Sequence, residues 1–289
     1  MAKFYWLAHE RQVANGRMRW HAEEADEAFW ADYWESKVNA AYYRQAEALD
    51  LAADELGGPL LAEMPRDGRH LEAGCGAGYW VAALRRAGLA VEGIEYSREL
   101  VALVNRVYPG LPVGYGDALA IDCPDNTYAS YLSFGVVEHR EAGPQPFLAE
   151  ALRVLRPGGK LIITVPHLGR LRRLRGQLGR YGAAPTKPFF QYGFGAAEFT
   201  ALVRAAGFVV DYSRPLYIHR LLLEEVGPYR WLYDRRGGPR WRDRVRRLPR
   251  LAPRRGPQGR CDRRRGARDR RGGRPDGGRA RDVLRIEGD

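Results

Sequence analysis

Between a short apolar run, "HLEA", and a run patterned for a helix, "YWVAALRRAG", the chain places three glycines at alternate positions, Gly74, Gly76 and Gly78. Glycine gives up more conformational freedom on folding than any other residue. Three within five positions therefore mark a backbone that turns sharply and lets something approach closely. A strand that feeds a helix through such a turn opens a β-α unit, and the turn lies where α/β sheets bind ligands, at the carboxyl ends of the strands. The spacing departs from the dinucleotide fingerprint G-x-G-x-x-G, because position 79 is Tyr and the third glycine falls one residue early.

The strand and helix pattern then repeats over residues 69–213. A helix is expected over 76–87, with Trp80, Val81 and Leu84 on its apolar face and Gly88 as its left-handed stop. "AVEGIEY" is a second strand, after which Ser97 caps a helix to about residue 107 with Glu99 in its first turn. "PVGYGD" and "YASYLSFG" are the third and fourth strands. A helix over 146–155 carries Phe147, Leu148, Ala151, Leu152 and Leu155 on one face, and an "RPGG" turn leads into "KLIITVP", continuously apolar as a strand buried on both faces must be. A helix over 196–206 ends at Gly207 and feeds "FVVDYS". Alternation of this kind predicts an α/β fold with a doubly wound, mainly parallel sheet.

The chain divides into three segments. Residues 1–65 read as an N-terminal helical cap closed by Pro65: Phe29, Tyr33, Trp34, Val38, Ala41 and Tyr42 recur at three- and four-residue steps, fitting either a core-covering face or an aromatic-lined lid. Residues 66–234 form the ligand-binding domain, with 167–195 as an insertion that covers substrate. Residues 235–289 form an Arg/Gly/Pro-rich tail that cannot bury enough apolar surface to fold alone. The net charge of +12 belongs to that tail: residues 1–234 hold 26 Lys and Arg against 28 acids, while 235–289 hold 21 Arg, no Lys and 7 acids, so the segments carry −2 and +14. The near-neutral body argues against nucleic acid as its partner, and the basic tail admits it.

The three cysteines, Cys75, Cys123 and Cys261, show no C-x-x-C spacing, so neither a zinc site nor a disulfide framework is expected, and a reducing cytoplasm fits best. No apolar run approaches the ~20 residues of a membrane span.

A second feature joins the glycine turn. Glu95 ends the second strand about 20 residues on, where a carboxylate takes both hydroxyls of a ribose. Asp117, with Ala118 beside it, ends the third strand region, placed to receive an adenine amine. With "LEAGCGAG", "EGIEYS", "GDA", "SFGVVEH" and "LRVLRPGGKLIITVP" in this order, residues 69–213 resemble the class I S-adenosylmethionine-dependent methyltransferases. The resemblance implies the Rossmann-like fold of that family and S-adenosyl-L-methionine as cofactor. It implies that Glu72 and the Gly74, Gly76 and Gly78 backbone hold the methionine and ribose end, that Glu95 takes the ribose hydroxyls, that Asp117 and Ala118 meet the adenine, that Ser133, Phe134 and Gly135 lie along the methionine moiety, and that Cys75 and Tyr96 also belong to the cofactor site.

It also implies a final antiparallel strand between the fifth and sixth, some 20 to 40 residues after "FVVDYS". None is evident there, since "LYIHRLLLEEVGPYRWLYD" is helix-like, so the final strand is expected to be missing. A shifted reading frame near residue 235, or a genuine basic arm for RNA or acidic lipid, each accounts for the arginine-rich segment that begins there.

Methyl transfer from a sulfonium is an in-line displacement that relies on positioning and needs a base only where the acceptor has a proton to lose. The catalytic candidate is His139, whose ordinary pKa suits that task; a structural Glu-His pair and a Glu138–His139 metal pair are the other readings. In the insertion, Leu168, Leu171, Leu174 and Leu178 fall near helical spacing among Arg170, Arg172, Arg173, Arg175 and Arg180. This suits a solvated lid, a cover for an anionic substrate or peripheral contact with a membrane. Phe189, Phe190, Tyr192 and Phe194 supply aromatic surface for an apolar acceptor or for the core. The function expected is methylation of a small acceptor, lipid-like or quinone-like. The alternatives are a nucleic-acid methyltransferase recruited by the tail and a non-catalytic cofactor-binding module.

Overall fold

The computed structural model describes residues 10–182, 185–235 and 281–288. The segment before the glycine turn is helical only in part. It begins with β1 (Glu10–Ala14) and β2 (Arg17–His21), a hairpin turned by Asn15 and Gly16 at φ 52° and 78°. Asn-Gly between two alternating runs is a strong short-range hairpin signal, because both residues tolerate positive φ; the helical cap expected over 1–65 is corrected accordingly for 10–21. Helices α1 (Glu27–Glu35), α2 (Ala40–Glu47) and α3 (Gly57–Glu63) come next, the first two capped by the Asp26 and Asn39 side chains.

The elements after the turn come in the expected order: β3 (His70–Ala73), α4 (Tyr79–Arg86), β4 (Val91–Glu95), α5 (Arg98–Val107), β5 (Val113–Tyr115) and β6 (Tyr128–Phe134). A 3-10 turn over Val137–His139 leads to α6 (Gln145–Val154), β7 (Leu155–Thr164), α7 (Arg170–Gln177), β8 (Phe189–Gly193), α8 (Ala196–Ala205) and β9 (Phe208–Leu216). Then come α9 (Ile218–Glu225), α10 (Gly227–Arg235) and β10 (Arg281–Gly288). Helix α4 starts three residues later than its pattern suggests, since Gly74, Gly76 and Gly78 all hold positive φ and the helix begins only beyond them. The "RPGG" run is drawn into β7 instead of turning before it; Gly158 at φ 73° accommodates a register slip against β6.

Seven strands form one sheet in the order β5-β4-β3-β6-β7-β10-β9, every neighbouring pair parallel. Strand order reverses between β3 and β6, so the loops after β3, β4 and β6 share one edge of the sheet, where a doubly wound fold binds its ligand. The final strand, expected to be missing, is supplied by β10. It lies between β7 and β9, the position expected of it, but parallel to both neighbours where the resemblance implied antiparallel. A window closing about 40 residues after "FVVDYS" stops short of it, and the absent strand is no longer a reason to invoke a shifted frame. The rest of the expected disordered tail, 236–280 and 289, lies outside the described residues.

Leu161, Ile162 and Ile163 of β7 are fully buried, as a strand covered on both faces requires, and each such side chain contributes ~1.5–3 kcal/mol. A second, three-stranded sheet joins β2 to β1 on one side and β8 on the other, antiparallel to both. Leu168 N–H donating to Phe194 O at 2.8 Å and Phe194 N–H to Pro166 O at 2.9 Å tie this cover to the end of β7. Among the described residues no helix is long and apolar enough to cross a membrane.

Candidate active site

The glycine turn is held from two sides. Gly74 and Cys75 N–H both donate to Ile94 O at 2.9 Å, and the Glu95 carboxylate accepts from Gly76 N–H at 2.9 Å and from Ser97 N–H at 3.0 Å. A Cβ on Gly74 would stand 2.6 Å from Val136, one on Gly78 2.9 Å from Val113, and one on Gly76 2.9 Å from the Trp34 indole, so the turn admits no side chain at these positions. Glu95 is 6 % exposed and burial pushes its carboxyl up, against the pull of the backbone donors. A carboxylate offers about four acceptor positions, so with the Gly76, Ser97 and Tyr96 backbone donors Glu95 keeps room for a hydroxyl donor. Beneath it Glu72 is also buried; burial, with the Glu95 charge adding, holds its carboxyl well above the usual range, and its Oε2 has no hydrogen-bond partner.

The remaining expected contacts divide. Tyr96 is 45 % exposed at the end of β4. Asp117 directs its carboxylate to Leu119 N–H at 2.8 Å, and Ala118 is buried beside it. Cys75 is buried with its Sγ against Gly93, and burial keeps its thiol neutral. Ser133 is buried within β6, while Phe134 and Gly135 reach a cavity of about 310 Å³ at the strand end.

The aromatic rings that wall the cavity include Trp20 of β2; Phe29, Trp30 and Tyr33 of α1; Trp80 of α4; and Phe190 of β8. Glu138 and His139 enter it from the 3-10 turn, and Arg172, Arg220 and Glu224 border it from α7 and α9. His139 Nδ1 lies 2.9 Å from Phe190 O and the ring is edge-on to Trp30 and to Phe190, with centroids 5.1 and 4.8 Å apart. A carbonyl only accepts, so Nδ1 carries the hydrogen and Nε2 is the basic nitrogen. Burial pushes Glu138 up to about 8. Among the described residues no three His, Cys, Asp or Glu side chains form a group that could hold a metal ion.

The cover is closed by a buried ion network. Arg172 is 1 % exposed; it donates to Glu224 at 2.8 Å, to Glu225 at 3.1 Å and to His167 O at 2.8 Å, and Glu225 also takes Arg11 and the Tyr181 hydroxyl. The leucine stripe of the insertion does not face inward as a set, for Leu174 and Leu178 are exposed while Arg172 takes the buried position. Sequence patterning has no rule for an arginine in that place, since its carboxylate partners lie more than 50 positions away. The aromatic wall had a signal, the ring-rich run over α1, but not its direction.

Residues 71–163 match the methyltransferase domain family. The chain is 35 % identical over 141 residues to a probable S-adenosylmethionine-dependent methyltransferase of Mycolicibacterium smegmatis, covering 49 % of this chain and 52 % of that one. It is 32 % identical over 139 residues to a protein so described from Mycobacterium tuberculosis, covering 48 % of each. It is 35 % identical over 96 residues to a demethylmenaquinone methyltransferase of Renibacterium salmoninarum, covering 33 % of this chain and 40 % of that one. The chain thus spans about half the length, or less, of these relatives. The parallel sheet with its glycine turn and strand-end acid has the Rossmann-like arrangement. Over residues 71–163 this domain is similar to those of S-adenosylmethionine-dependent methyltransferases.

Proposed function

We propose that this protein transfers the methyl group of S-adenosylmethionine to a small, flat, largely apolar acceptor of the quinone type, at an atom that loses a proton. The observation that carries the reading is the aromatic cavity, with His139 in its wall, opening beside the strand-end residues Phe134 and Gly135. The resident chain fits the cofactor in two respects: the turn has no room for a side chain at Gly74, Gly76 or Gly78, and Glu95 keeps room for a hydroxyl donor. When bound, S-adenosylmethionine supplies an electrophilic methyl on a sulfonium.

The residues then divide the work. Glu95 orients the ribose through its hydroxyls, Asp117 and Ala118 border the adenine, and the backbone of Gly74 and Gly76 admits the methionine end. Trp30, Tyr33, Trp80 and Phe190 exclude water and hold a planar acceptor by its faces, so that most of the acceleration comes from a near-attack geometry. His139, its tautomer fixed by Phe190 O, takes the acceptor's proton on Nε2. The relative described as a demethylmenaquinone methyltransferase supports a quinone-like acceptor over a polar one.

The test is incubation with methyl-labelled cofactor and fractionated cell extract. Label is expected in the lipid and small-molecule fractions; label confined to RNA would contradict the reading.

A further inference from the structure

Glu138 is 2 % exposed in the turn after β6, and its Oε2 has no hydrogen-bond partner. Its Oε1 lies 3.5 Å from where a Cβ on Gly135 would stand, and both residues line the aromatic cavity. A buried carboxylate with neither a cation nor a set of donors is costly, so such a group stays a neutral acid. Burial accordingly pushes Glu138 up to about 8, and it keeps its proton at neutral pH. A buried acid with an unpartnered oxygen in a cavity wall has a use where something charged arrives beside it.

We propose that Glu138 answers the charge of the methyl donor: it is neutral while the adjoining end of the site is empty or holds a thioether, and it becomes a carboxylate when a sulfonium is seated there. The proposal rests on the S-adenosylmethionine reading. An opposite charge within ~4–6 Å lowers a carboxyl by about one to three pH units, which brings Glu138 to neutral pH or below. Donor binding then expels the Glu138 proton to solvent.

The rest of the cycle balances. The sulfur–methyl bond breaks with its electron pair left on sulfur, the acceptor atom bonds the methyl carbon, and the acceptor's proton leaves through His139. With sulfur uncharged, Glu138 takes a proton back from solvent, so one proton is released per turnover, the acceptor's. The buried site never holds an unanswered charge, and rising pH favours donor over product.

The other ionisable groups around this cavity are Tyr33 from α1, His139 from the same turn, Arg172 from α7, and Tyr217, Arg220 and Glu224 from the α9 side. Arg172 and Arg220 both pair with Glu224. Burial pushes Tyr33 further from it. His139 and the buried Glu72 by the glycine turn are the competing sources of a proton.

Calorimetric titration of the full chain in buffers of different ionisation enthalpy separates these sources. At pH 7, S-adenosylmethionine should release close to one proton more than S-adenosylhomocysteine, and its affinity should rise about tenfold from pH 6.5 to pH 8 while that of the thioether stays level. Glu138→Gln should erase both differences yet bind the thioether normally, which shows that it folds; Glu72→Gln and His139→Gln should keep them. Equal proton release by the two ligands, or a difference that survives in Glu138→Gln, overturns the proposal while leaving the cofactor reading intact. Failure of the wild-type chain to bind either ligand overturns that reading itself.

Discussion

The large sheet and the small cover are built by different means. From β3 to β7 each element is set by its own few residues: an apolar run, a cap, a glycine at positive φ. The cover, made of β1, β2, β8, α1, α7 and α9, is assembled from segments as far as 214 positions apart, the separation between Arg11 and Glu225. A fold fixed by local pattern can present a common cofactor. A cover held by long-range side-chain pairs can change its lining without disturbing what lies beneath. The two regions meet at the cavity, where His139 comes from the sheet side and Phe190 from the cover.

Substitutions can break this division. The largest effect is expected at the seam: His139→Ala should lower turnover by about 10²–10⁴-fold, the usual worth of a positioned base, with cofactor affinity near wild type. Steady-state kinetics beside a binding titration checks it, and full activity would leave the histidine structural. Next is Arg172→Ala, which strips a buried cation from Glu224 and Glu225. Breaking a buried pair in this way costs ~3–5 kcal/mol, read as a lowered denaturant midpoint. If the regions are separable, S-adenosylmethionine binding at temperatures where the variant stays folded should change little; loss of cofactor binding in step with stability would mean that cover and sheet are one unit.

The sheet was legible because its signals are local. Ser97 announces its helix by its own side chain, which accepts from Leu100 N–H, and Glu95 is found by counting from the glycine turn. The hairpin at Asn15 and Gly16 had a local signal too, outweighed by the helical spacing just beyond it. Strand β10 was hidden for another reason: its neighbours β7 and β9 precede it by more than 60 residues, and nothing in a short window announces a strand that inserts between two earlier ones. Arg172 reads as one arginine among five, and only the carboxylates of α9 make it the buried one. Glu138 was legible as a residue but not as a buried acid with an unpartnered Oε2, since that burial belongs to the assembled cavity.

The smallest of these effects tests the central claim most directly, that the glycine turn and its acid hold S-adenosylmethionine. A charged hydrogen-bonding group is worth ~1.5–3 kcal/mol. Calorimetric titration of the wild-type chain should therefore show saturable binding of S-adenosylmethionine, weakened roughly 10- to 150-fold in Glu95→Ala. Wild-type affinity in the variant, or no binding in the parent, would contradict it.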